Sequence, residues 1–148
     1  NLNFRSLAIG INKTGISKGQ NYYLDNPIFD LMNFNHFFCY KAARIPIENA
    51  TVMADCLKDS DFEPTAAKIK RQFREIVENT NNTENGVYFI LYSGHGARSP
   101  GGKEADGKQG VLVGQDVELI KDTEVFETLG AGLNAGREGF LILDSCYS

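Results

Sequence analysis

The stretch Val87-Tyr88-Phe89-Ile90-Leu91-Tyr92-Ser93-Gly94-His95-Gly96 runs through six apolar residues and then breaks into a histidine framed by glycines. A continuous apolar run of this length, rich in β-branched and aromatic residues, predicts a central strand covered on both faces. Working outward, Phe140-Leu141-Ile142-Leu143 predicts another strand. Leu7-Ala8-Ile9-Gly10-Ile11 predicts a third, running into a long polar loop, and Ala50-Thr51-Val52-Met53-Ala54 a fourth that ends at Asp55. Pro27 suits the first turn of a helix whose Ile28, Leu31, Phe34, Phe37 and Phe38 face the sheet. From Pro64 through Asn79, Ala66, Ile69, Phe73, Ile76 and Val77 make one face of an amphipathic helix. Phe126, Leu129 and Leu133 mark a third helix ending near Gly136. Residues 97–109 read as a Gly-rich, charged loop, with Val111-Leu112-Val113 as a short hairpin arm. Strands alternating with helices over such spans predict an α/β three-layer sandwich, with a mostly parallel central sheet and helices on both faces.

The chain has 148 residues, one domain's worth, and 42% of them are apolar, enough for a core. With 15 Lys+Arg against 19 Asp+Glu, the net charge of −4 gives no footprint for nucleic acid, so no nucleic-acid partner is expected. No apolar run approaches the roughly 18 residues of a membrane span, so no membrane partner is expected. Cys39, Cys56 and Cys146 fit neither a disulfide framework nor a zinc-ligand spacing, which favours a reducing, cytoplasmic setting.

In parallel sheets reactive groups collect beyond the carboxyl ends of the strands. Two such ends carry chemistry here: Ser93-Gly94-His95-Gly96, and Asp144-Ser145-Cys146-Tyr147-Ser148, with His95 51 residues before Cys146. A thiol needs a base to become thiolate at neutral pH, and imidazole can take that proton and return it. His95 and Cys146 are therefore the candidate dyad. The Gly96 N–H, unobstructed by a Cβ, is a candidate oxyanion donor, and the Cys146 N–H is the second. His36, Cys39 and Cys56 lack such a frame and read as structural.

These two tips resemble the caspase-like cysteine peptidases, and within them the metacaspases and their bacterial relatives, the p20 domain of peptidase C14, more than animal caspases. The histidine-to-cysteine spacing is also a caspase feature. Four further stretches are similar: Leu7 to Asn12 resembles A-x-G-I-N, Leu24 to Asp30 resembles L-x-G-C-x-N-D, Glu48 to Asp55 resembles E-N-I-x-x-L-T-D, and Pro64-Thr65 resembles the P-T opening of the second helix. The resemblance covers essentially all of residues 1–148. It implies Cys146 as nucleophile, His95 as general acid and base, and Asp144 and Asp30 as the two carboxylates of an S1 pocket that takes Arg or Lys at P1. Pro27 and Phe29 depart from that pattern, since they replace its cysteine and asparagine. Asp30 also suits a solvated first-turn position, where the helix dipole favours negative charge.

The resemblance implies no cofactor for the chemistry itself. Some metacaspases need Ca²⁺, and Glu104, Asp106, Asp116, Asp122 and Glu124 supply hard oxygen donors in the corresponding region, Asp106 and Asp122 being the candidate ligands. Asp122-Thr123-Glu124 equally suits a helix start. The expected partners are a protein or peptide substrate with basic P1, and a p10-type small subunit or C-terminal continuation after Ser148. Self-activation is expected through a cut at Arg98, Lys103 or Lys108. Two alternatives stand beside this reading. One is a catalytically silent caspase-like scaffold. The other is a peptidase with acidic P1 preference, which would need Arg5, Arg44 or Arg98 in the pocket.

Overall fold

The computed structural model describes residues 1–100 and 108–145. The strands are β1 (Asn3–Gly10), β2 (Lys13–Thr14), β3 (Tyr22–Tyr23), β4 (Ala50–Ala54), β5 (Gly86–Ser93), β6 (Gly96–Pro100), β7 (Lys108–Val113), β8 (Leu119–Lys121) and β9 (Glu138–Asp144). The helices are α1 (Pro27–Asn33), α2 (Ala66–Asn81) and α3 (Asp122–Val125). Wider π-type turns extend α1 over Phe34–Ala42 and α3 over Phe126–Gly130.

The main sheet has the order β4-β1-β5-β9, and every pairing in it is parallel. Alternation along the strands divides its side chains between two layers. Leu7, Ile9, Tyr88, Ile90 and Tyr92 pack with Ile69, Phe73 and Ile76 of α2, whereas Ala8 packs with Leu31 of α1. Helices thus cover both faces, as the apolar runs predict. α2 forms where its periodicity places it, and Thr65 caps it by accepting from the Lys68 N–H at 3.3 Å.

Three expectations need correction. Within the stretch read as a loop over 97–109, residues 97–100 and 108–109 are paired: β6, β7 and β8 make a second, antiparallel sheet, with Arg98 opposite Gly110 and Pro100 opposite Lys108. Phe37 does not face the sheet. The π-type turns change the angular phase of the helix, so Phe38 packs on Phe89 while Phe37 is 63% exposed. The third helix stops at Gly130 rather than near Gly136, which instead occupies a left-handed turn at φ 80°.

β9 is the outer strand of the sheet, and three of its apolar residues are open: Phe140, Ile142 and Leu143 are each 44–49% exposed. A tight contact lies at Gly139, where a Cβ would fall on the Tyr88 ring. Tyr88 cannot simply swing away, because its buried hydroxyl donates to Leu129 O at 2.8 Å. Gly139→Ala is therefore expected to cost about 2 kcal/mol, the scale of overpacking a filled site. In a chain of this size that is about 4–8 °C in melting temperature, read by calorimetry against wild type.

Candidate active site

The carboxyl end of β5 is built around Tyr92, which is fully buried. Its hydroxyl lies 2.7 Å from His95 O and 2.8 Å from Val113 O, one donor shared between two carbonyls. Burial pushes its phenol well above the ordinary value, so it remains a protonated donor. The Val113 N–H also donates to His95 O at 3.1 Å, fixing the histidine backbone to β7. This folding-back requires Gly94, since a Cβ there would stand 2.8 Å from the Tyr92 oxygen.

The His95 side chain is half-buried, with its Nε2 shielded from solvent and without a hydrogen-bond partner among the described residues. The Tyr22 ring lies against it edge to face, at 6.3 Å between centroids and 76° between planes. Gly96 opposes Leu112 in the antiparallel ladder. Because the bond from Val113 N–H goes to His95 O, Gly96 and Leu112 form a non-hydrogen-bonded pair, and the register leaves the Gly96 N–H unspent. Cys146 lies outside the described residues. Asp144, two positions before it, is in register with Ser93, two positions before His95. The Gly94 N–H reaches Asp144 O at 3.3 Å, joining the two strand tips.

Asp30 and Asp144 meet on the α1 side of these tips. The Ser93 hydroxyl donates to Asp30 Oδ2 at 2.8 Å, and the carboxyls of Asp30 and Asp144 share a hydrogen bond. That bond raises the Asp144 pKa, with help from partial burial and the neighbouring negative charge. Asp30 is brought there because α1 is pinned to the end of β1: the Ile28 N–H donates to Asn12 Oδ1 at 3.0 Å. Asp30 is thus a partnered, half-buried group rather than a solvated one.

The arginines available for an acidic-P1 pocket stand elsewhere or carry other roles. Arg5 bonds Asn49 and Thr83 near the amino ends of the strands, Arg44 is exposed after the α1 extension, and Arg98 lies on β6. Of the Ca²⁺ candidates, Asp116 accepts the Ala66 N–H at 3.1 Å and Glu124 accepts the Lys121 N–H at 3.0 Å. Asp122 sits in the first turn of α3, and Glu104 and Asp106 lie outside the described residues. Among the described residues no group of three or more His, Cys, Asp or Glu converges. His36 is exposed on the α1 extension beside Phe37 and Tyr40, and Cys39 is buried. Cys56 is exposed just after β4.

Two residues of this site escape the sequence reading. Ser93 has a visible signal: alternation along β5 places it on the α1 face beside Asp144. Tyr22 has none, because nothing in a polar loop announces a two-residue strand. Among the described residues, no helix is long and apolar enough to cross a membrane.

Comparison with known proteins agrees with this architecture. A crystal structure from Geobacter sulfurreducens superposes with a TM-score of 0.73 at 21% identity, over 97% of this chain and 50% of that one. Metacaspase-1B of Aspergillus fumigatus is 31% identical over 97% of this chain and 35% of its own length. Metacaspase-4 of Arabidopsis thaliana is 34% identical over 68% of this chain and 24% of its own. The chain thus spans about a third or less of these two curated relatives. The profile of the metacaspase peptidase C14 domain matches residues 5–148, and with it the chain belongs to the metacaspase family of cysteine peptidases.

Proposed function

We propose that this chain is the p20-type catalytic portion of an endopeptidase that cuts after Arg or Lys. His95 takes the proton of the Cys146 thiol, and the thiolate attacks the scissile carbonyl, whose oxyanion is held by the Gly96 and Cys146 N–H groups. Collapse of that intermediate releases the amine, protonated by His95, and leaves an acyl-enzyme. Water, activated by the same imidazole, then hydrolyses it and frees the thiol. The observation that carries the P1 preference is the meeting of Asp30 and Asp144 beside the β5 and β9 tips. Two carboxyls at one spot attract a guanidinium or ammonium and repel an acidic side chain.

The open, apolar edge of β9 supports a further strand-bearing portion, p10-type, completing the sheet. Self-cleavage remains part of the proposal, but Arg98 and Lys108 are in ladder positions. Lys103 lies outside the described residues.

An arginyl chloromethyl ketone separates this reading from a silent scaffold. The intact wild-type protein is expected to gain one covalent adduct on Cys146, while Cys146→Ala gains none and shows no cut between Arg98 and Lys108 in its intact mass. An unlabelled Cys146 would favour the scaffold, and a cut that persists in Cys146→Ala would end self-processing.

A further inference from the structure

We infer that Tyr22 is a positioning residue for the His95 imidazole, doing by ring contact what a hydrogen-bonding partner does for the base in other acid–base pairs. The inference rests on His95 acting as general acid and base. A catalytic imidazole must be held in one orientation to exchange a proton with its nucleophile. Here Nε2 is buried and has no hydrogen-bond partner among the described residues, while the Tyr22 ring closes on the imidazole edge to face.

Tyr22 is not a core residue whose neighbours are accidental. It is 49% exposed, on a two-residue strand within an otherwise polar loop. Yet the backbone that carries it is tied down at several points. Tyr22 opposes Thr14, which is 1% exposed, and the Leu24 N–H donates to Asn12 O at 2.8 Å. The Lys13 N–H donates to Asp55 Oδ2 at 2.8 Å, and the Gly15 N–H to Gln115 O at 2.8 Å. Lys18 Nζ meets Glu118 Oε1 at 2.6 Å. The hairpin is thus braced against the β4 end and the β7–β8 turn, and this bracing sets where the Tyr22 ring stands. A catalytic group displaced by about 1 Å can lose roughly 100-fold in rate, so a ring that restrains the imidazole has leverage without touching substrate.

Alkylation of Cys146 by iodoacetamide in the intact protein tests this without assuming any P1 preference. The rate is followed from pH 5 to 9 by mass of the Cys146 peptide, since the exposed Cys56 also reacts. Wild type is expected to show a thiolate limb well below the ordinary thiol range, and His95→Ala to lose it. Tyr22→Ala is expected to slow alkylation near pH 6 about tenfold and to move the limb upward, while Tyr22→Phe restores the wild-type profile. Both Tyr22 variants should melt within about 2 °C of wild type, as half-exposed positions do. A Tyr22→Ala profile that matches wild type, or a Tyr22→Phe profile that matches Tyr22→Ala, overturns the role of the ring. If His95→Ala keeps the wild-type limb, the acid–base reading of His95 falls and takes this inference with it.

Discussion

His95→Ala is expected to lower kcat/KM of the intact protein on a basic-P1 peptide by about 1,000-fold, within the range that a positioned general acid and base contributes. The backbone around His95 should survive the change. Its carbonyl is held by the Tyr92 hydroxyl and the Val113 N–H, and neither bond involves the imidazole. Loss of rate would then report lost proton transfer rather than a displaced loop. The residual activity carries a second signature. Without the imidazole the thiol ionises as an ordinary cysteine, so the variant's rate should keep climbing toward pH 9 while the wild-type rate has levelled off. A variant within tenfold of wild type at neutral pH would show that the thiolate forms without His95.

The strands and helices that carry this site were legible because burial leaves a direct mark on composition. β5 is buried on both faces, so its apolar run stands out, and α2 shows its single buried face as a period. The antiparallel β6–β8 sheet leaves no such mark. Arg98, Ser99 and Pro100 offer neither an apolar run nor clean alternation, and their pairing depends on β7 arriving from the far side of a glycine-rich segment. The phase shift that turns Phe37 outward is equally hidden, since it arises from how the α1 extension winds and not from which residues it contains. Within the site, the tips of β5 and β9 followed from the rule that chemistry gathers at strand ends. The meeting of Asp30 with Asp144 did not follow from spacing; it came from resemblance. Its physical basis is the bond between Asn12 and Ile28, which docks α1 over the β5 tip. Ser93 then completes the group by register alone.

Removing one of those carboxylates is expected to change selectivity far more than stability. A charged hydrogen-bonded contact contributes roughly 1.5–3 kcal/mol, so Asp30→Asn or Asp144→Asn should lower the preference for Arg over an uncharged isostere at P1 about 10- to 100-fold. The loss should appear mainly in KM, because the P1 side chain is bound similarly before and during the reaction. Asp144 also has a defined pH consequence. Its folded-state pKa is raised, chiefly by the shared bond with Asp30, so the folded chain holds that proton more tightly than the unfolded chain. As pH falls through the raised value the pair gains a proton and loses one negative charge, and KM for an Arg substrate should rise; Asp144→Asn should flatten that limb. The stability effect has the opposite sense. Any stability gained from the retained proton is complete below the ordinary carboxylate range and is lost as pH rises through the folded-state value, where the two carboxylates repel. At pH 7, Asp144→Asn is therefore expected to melt at or above the wild-type temperature while cleaving Arg substrates poorly. A variant that melts lower and retains its P1 preference would mean that the carboxylate pair serves the fold and not the substrate.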